Sequence, residues 1–254
     1  MRRLLTISYI GTAYHGWQVQ HNACTVQQCV QDALERVLGH RPDLTGCSRT
    51  DAGVHARAFC AHFDSDSTIP NRRLPIALNA HLPADIAVTS CISVADDFHA
   101  RYNALGKTYC YQILNRATRD PFLQQQCWQV SRPIDLQSLN RCAAAFVGTH
   151  DFKGFCASGS SVVDTVRTVT DCHAEQDGAL IRLYITANGF LYNMVRIITG
   201  TLIDIQRGKL AEDALDEIIA SCARENAGVT APPHGLFLEK VHYAMDLETG
   251  DSHG

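Results

Sequence analysis

The sequence predicts an α+β fold, and three observations predict it. Stretches alternating apolar and polar residues are interleaved with stretches at helical spacing. Several strand-like stretches are neighbours in sequence, which favours antiparallel pairing over a doubly wound parallel sheet. The chain is 254 residues long with 46% hydrophobic and 19% charged content, enough for one large core or two modest ones. The second half repeats the style of the first, and Arg101-Tyr102-Asn103-Ala104-Leu105-Gly106 links them. We expect lobes at residues 1–104 and 105–247, and a polar, frayed tail at 248–254.

Taken in order, residues 4–10 alternate with Leu5, Ile7 and Tyr9 on one face and read as a strand that Gly11 ends. Thr25-Val26-Gln27-Gln28 has capping-box form, and Val26, Val30, Ala33, Val37 and Leu38 recur at helical spacing up to Gly39. A short stretch at 44–47 precedes a strand over 59–63, a helix over 72–78 and a strand over 86–94. In the second half, 107–114 alternates with Tyr109, Tyr111 and Ile113 on one side. Asp135 can cap a helix whose face is Leu136, Leu139, Ala143 and Phe146, with Gly148 as its end. Strands are expected at 166–169 and 180–187, helices at about 190–205 and 211–222, and a last strand at 236–241 after Ala231-Pro232-Pro233-His234-Gly235.

Composition narrows the function classes. No apolar run approaches the roughly 20 residues that span a bilayer, and the first residues lack the h-region and cleavage site of a signal peptide. A cytoplasmic location is the simplest reading. The 11 cysteines are odd in number, scattered and without a Cys-x-x-Cys pair, so reduced, mostly buried thiols are expected and a structural zinc site is not. The net charge of −4 neither supports nor excludes a nucleic-acid partner, although arginines group at Arg49 with Arg57, Arg72 with Arg73 and Arg116 with Arg119.

The densest chemistry lies in Arg49-Thr50-Asp51-Ala52-Gly53-Val54-His55-Ala56. A carboxylate beside a guanidinium, in a loop flanked by apolar residues, can serve as a reactive centre whose protonation answers to its neighbours. The plain alternative is a turn aspartate bonded to its own backbone near Gly53. His55, His62, His81 and His99 show no i, i+4 pair with a carboxylate between them, so a metal site is disfavoured and His55 is expected to be structural.

That octet resembles the signature of the bacterial tRNA pseudouridine synthase A (TruA) family. The resemblance runs nearly the whole chain, in order and spacing. It includes Tyr9-Ile10-Gly11-Thr12-Ala13-Tyr14-His15-Gly16-Trp17-Gln18, Leu78-Asn79-Ala80-His81-Leu82-Pro83-Ala84-Asp85-Ile86 and Asp97-Phe98-His99-Ala100-Arg101. Further on come Lys107-Thr108-Tyr109-Cys110-Tyr111, Gly148-Thr149-His150-Asp151-Phe152, Arg167-Thr168, Asn188-Gly189-Phe190-Leu191-Tyr192-Asn193-Met194-Val195-Arg196 and Gly235-Leu236-Phe237-Leu238.

The resemblance implies two similar lobes with mainly antiparallel sheets flanked by helices around an RNA-binding cleft. It implies isomerisation of uridines in the anticodon stem-loop of tRNA, with no cofactor, no metal and no membrane, by a homodimer. By the same resemblance Asp51 is the catalytic nucleophile, attacking the uracil ring or the sugar, and a carboxylate suits that role because it needs no activating base. Tyr109 would stack on the uracil with its hydroxyl set for the C5 proton, while Tyr111 stays in the core. Arg196, costly on so apolar a helix without an anionic partner, would keep Asp51 ionised. Arg49 could replace the stacking of a flipped base, and Arg57, Arg101 and Lys107 would contact phosphates. Ser48 stands where the family commonly has glycine, which would strain it if the backbone there needs a positive φ. An RNA-binding module without catalysis is the runner-up; a metal-dependent hydrolase using Asp85, Asp96 and Asp97 lacks ligand spacing.

Overall fold

A computed structural model describes residues 1–159 and 162–245, so the tail expected at 248–254 lies outside the described residues. The chain divides into two compact units, Met1–Leu105 joined by the chain from Leu238, and Gly106–Phe237. The first unit is therefore discontinuous: the segment from Leu238 groups with it, not with the second half to which the sequence reading gave residues up to 247.

In the first unit, β1 (Arg2–Tyr9), β3 (His55–Asp64), β4 (Ile86–Val94) and the last strand, β10 (Leu236–His242), run in the order β4-β1-β3-β10, with β2 (Thr45–Gly46) also on β3. β1 pairs antiparallel with both β3 and β4. Helix α1 (Val26–Leu38) starts where Thr25, in extended backbone, accepts from Gln28 N through its hydroxyl, and stops at Gly39 in the left-handed region, φ 79°. Local chemistry sets both ends. Leu34, fully buried, belongs to its inner face, whereas Val37 and Leu38 are only half-buried. Helix α2 (Leu74–Asn79) starts two residues later than expected, with Pro75 in its first turn.

The strand from Leu238 onward is stitched into this unit. Arg57 pairs with Glu239 at 3.1 Å, Leu105 N donates to His242 O at 2.8 Å, and the Tyr243 hydroxyl donates to Ala100 O at 2.6 Å. Beneath lies a buried histidine. His62 accepts from Ala100 N through Nδ1 at 3.1 Å and lies 5.0 Å from the His99 ring. Burial first, then the Arg2 guanidinium and His99, pull its pKa down to about 4, against the opposing pull of Asp64.

A histidine that folding holds neutral destabilises the fold as acid is added. Between its unfolded value near 6.5 and about 4 the unfolded chain binds more protons, so stability rises with pH across that window and falls on acidification. His62→Asn keeps an acceptor for Ala100 N and cannot titrate. We expect it to remove roughly 1–2 kcal/mol of the stability difference between pH 7 and pH 4.5 in urea titrations; an unchanged difference would assign the acid lability elsewhere.

The second unit orders β5 (Gly106–Leu114), β7 (Gly148–Asp151), β8 (Val166–Asp177) and β9 (Leu180–Ala187) as β5-β9-β8-β7, all antiparallel, with β6 (Trp128–Gln129) parallel to β5. β5 is buried on both faces from Tyr109 to Leu114, not on one. β8 is three times the expected length. Its buried residues are Val169, Cys172 and Ala174, because a bulge between Val169 and Asp171 shifts the alternation by one.

Helix α3 (Leu136–Ala144) is capped by Asp135, whose carboxylate accepts from Gln137 and Ser138 N, but ends before Phe146; Gly148 opens β7. Helix α4 (Met194–Gln206) starts four residues later than its apolar run, since Asn193 is left-handed with φ 61°. Nearly every α4 side chain is buried, and at Gly200 a Cβ would lie 1.7 Å from Val229 O. The expected helix at 211–222 resolves into a 3-10 turn, Glu212–Ala214, and α5 (Leu215–Ala220). Both units are α+β, and no described helix is long and apolar enough to cross a membrane.

Candidate active site

The octet is built as a tight loop against the segment that follows β1. Val54 N donates to Asp51 O at 3.2 Å, closing a turn with Gly53 in the left-handed region at φ 78°. Two main-chain bonds hold this turn from outside, Trp17 N to Thr50 O at 3.2 Å and Gly53 N to Tyr14 O at 3.3 Å. The same segment is held on its other side by α1, whose Val26 and Gln27 N–H groups donate to Gly16 O and Trp17 O. Helix, segment and octet are thus one continuous hydrogen-bonded layer.

Side chains lock it further. Tyr9 and Thr50 share a buried hydroxyl–hydroxyl bond of 2.8 Å. His55, fully buried, accepts from Gly11 N through Nδ1 at 2.8 Å, so its proton sits on Nε2. It serves the backbone, as expected of a structural histidine. Tyr14 donates to Asp85 Oδ1 at 2.6 Å; burial chiefly, and then that carboxylate, raise its pKa. Trp17 stacks on Phe59 with centroids 3.9 Å apart and forms the apolar floor with Tyr9. Within the octet Asp51 is half-buried and Arg49 exposed. Ser48 is not among the residues with positive φ, so serine is unstrained there.

Of the other basic residues expected in this unit, Arg57 is exposed on β3, where Glu239 neutralises it. Arg101 is exposed on the loop after β4, its guanidinium 5.8 Å from the exposed Tyr102 ring. His99 shapes that loop, accepting from Arg101 N and Tyr102 N through Nδ1.

The second unit brings Lys107 and Tyr109 onto β5, opposite Ala187 and Ile185. Tyr109 is 6% exposed and meets Phe190 edge to face at 4.9 Å. Tyr111 is fully buried; its hydroxyl donates to Pro232 O at 2.7 Å, and burial raises its pKa. It belongs to the core.

Arg196 stands in the first turn of α4, where the helix dipole disfavours a cation. Compensating acceptors hold it: Nε donates to Ala231 O at 2.7 Å and Nη1 to Asn193 Oδ1 at 2.6 Å, while Ala231 N donates to its carbonyl at 3.0 Å. The guanidinium is half-buried and aimed by its neighbours, not extended into solvent. Burial, and Arg196 to a lesser degree, push His234 below its ordinary value.

Sequence reasoning gives site roles to Asp51, Tyr109 and Arg196, whereas Tyr9, Gly11, Tyr14, Asp85, Phe190 and Asn193 stand in the motifs of the resemblance without the supporting contacts that the structure gives them. Asn193 had a readable signal, being three residues before Arg196 at a helix start. The Tyr9–Thr50 and Tyr14–Asp85 pairs join residues 41 and 71 positions apart, and nothing local announces them. Among the described residues no group of three or more His, Cys, Asp or Glu side chains is placed to hold a metal ion.

A family profile described as tRNA pseudouridine synthase matches residues 5–103 and 142–244. A protein of Thermoanaerobacter sp. (strain X514) named tRNA pseudouridine synthase A is 48% identical over 240 residues, covering 94% of this chain and 98% of that one. One from Clostridium perfringens (strain 13 / Type A), named tRNA pseudouridine synthase A 2, is 46% identical over 239 residues with the same coverage. A solved Cbf5-Nop10-Gar1 complex aligns over 92% of this chain and 57% of that one, with a TM-score of 0.34 and 9% identity, and carries no argument at that distance.

Proposed function

The chain belongs to the tRNA pseudouridine synthase family, and on that premise we propose that it converts neighbouring uridines of the tRNA anticodon stem-loop to pseudouridine, with Asp51 as the nucleophile. The observation that carries this reading is the octet loop. Its main chain is pinned at Thr50 and Gly53 while Asp51 between them stays half-buried. A pre-set carboxylate of this kind can attack without first ordering its own loop.

The reaction breaks the N1–C1′ bond, joins C1′ to C5, removes the C5 proton and returns a proton to N1, so product and substrate are isomers. We give Tyr109 the stacking and proton-handling role on the uracil, and Arg196 that of the cation that keeps the nucleophile ionised. Arg49, Arg57, Arg101 and Lys107 are assigned to the RNA. Arg49 and Arg101 are exposed and suit that role best; Arg57 must first yield its bond to Glu239. No cofactor or metal is required, so turnover should persist in a chelator. The family resemblance adds a homodimer, which the particle mass in solution decides, and a cytoplasmic setting, with which eleven free cysteines agree.

The deciding experiment follows tritium release from C5-labelled uridine in an unmodified tRNA transcript. Release that disappears when the anticodon stem-loop uridines are replaced by cytidine supports the assignment. Release from other arms would move the target, and binding without release would leave an RNA-binding module.

A further inference from the structure

We propose that Cys24 and Cys29 form a modification site, a dithiol that oxidation closes into a disulfide across the start of α1. Their sulfurs are 3.9 Å apart, with the N-cap Thr25 between them in sequence. They hold the positions just before the cap and in the fourth helical place, where helices commonly set two apolar side chains against each other to fix the entry of the chain. Here two thiols fill that pair. Non-covalent contact is all that reduced thiols give, but the same geometry offers a covalent alternative.

The other cysteines are placed differently. Seven are buried, and Cys156 and Cys222 point their thiols at the carbonyls of Ala157 and Asp151. Cys24 is exposed and Cys29 half-buried, so an oxidant reaches Cys24 first. Burial, and then Cys24 itself, push the Cys29 thiol up to about 12. With a peroxide as the oxidant, the Cys24 thiol becomes a sulfenic acid and one water is released. The Cys29 thiol then displaces the hydroxyl as a second water, forming the S–S bond. Two thiols are oxidised and one peroxide is reduced. Closure brings the sulfurs from 3.9 Å to about 2 Å beside the Thr25 cap at the helix start.

The bond would tie down more than a helix end. Cys24 O accepts from His15 N, and residues 14–17 carry the main-chain bonds to Thr50 and Gly53. Oxidation would therefore stiffen the segment that supports the octet. The proposal does not depend on the RNA reading.

The test treats the reduced full-length protein with one equivalent of hydrogen peroxide, counts thiols and maps the peptides by mass spectrometry. We expect the loss of two thiols and of the mass of two hydrogens in the 24–29 peptide, reversed by dithiothreitol. Amide exchange across residues 14–29 should be slower in the oxidised form, and Cys29→Ser should leave Cys24 as a sulfenic acid trapped by dimedone. A sulfinic acid at Cys24 with Cys29 still free, or a disulfide mapped to any other pair, would overturn the proposal.

Discussion

Asp51→Asn should abolish tritium release from C5-labelled tRNA, lowering the rate by at least about 10⁴-fold, the scale on which loss of a nucleophile reads, while tRNA still binds. The amide keeps the shape of the side chain and removes its ability to form the covalent intermediate. The turn around it is made by main-chain bonds, Val54 N to Asp51 O and Gly53 N to Tyr14 O, which the substitution does not touch. Thermal unfolding should accordingly stay near that of the wild type. A variant that keeps even a hundredth of the rate would remove Asp51 from the chemistry, whatever the resemblance of the octet.

The second large effect is expected at a residue with no side chain. In Gly11→Ala the added Cβ would fall 2.0 Å from Val54 O and 2.7 Å from Val54 C, an overlap with main chain that no rotamer change relieves. Either Gly11 or the octet must move. The cost in stability should be about 2–3 kcal/mol. Because Gly11 N also donates to His55, the movement passes directly into the loop that carries Asp51. A displacement on the ångström scale there should cut the rate by about 10²-fold. Gly39→Ala supplies the comparison: its φ of 79° makes alanine costly by about 1 kcal/mol, but the space around it is open and it lies on the far end of α1. It should lose stability without losing rate. Equal rates for the two variants would show that the octet is not clamped at Gly11.

These two positions also mark what the sequence could and could not disclose. The octet was legible because its chemistry is concentrated in neighbouring residues. Helix α1 was legible for the same reason, since Thr25 and Gly39 write both ends locally. Where the determinants are not local, reading failed in physically understandable ways. β8 was cut short because its bulge throws Cys172 and Ala174 out of step with Val169. Helix α4 was begun too early because Phe190 and Leu191 are apolar enough to continue the run, and only the left-handed backbone at Asn193 stops it. β5 looked one-sided although it is covered on both faces. The contacts that pin the octet, Tyr9 to Thr50 and Gly11 to His55, exist only once β1 and β3 are paired. The roles given to Tyr109 and Arg196 came from resemblance; residue pattern alone puts Tyr109 on a strand face with Tyr111 and asks only that Arg196, on so apolar a helix, find an anionic partner.

The discontinuous first unit has a consequence for biosynthesis. The strand that flanks β3, Leu236–His242, follows nearly the whole of the second unit in sequence. During translation, residues 1–105 leave the ribosome with that β3 edge covered only where β2 pairs at Ala61 and His62, and Glu239, His242 and Tyr243 are not yet available to Arg57, Leu105 and Ala100. The second unit is continuous in sequence and is synthesised before Leu238. An open strand edge waiting on a distant stretch of chain invites pairing with other nascent chains, so ribosomes stalled before residue 238 should yield an aggregation-prone product even though the octet has already been synthesised.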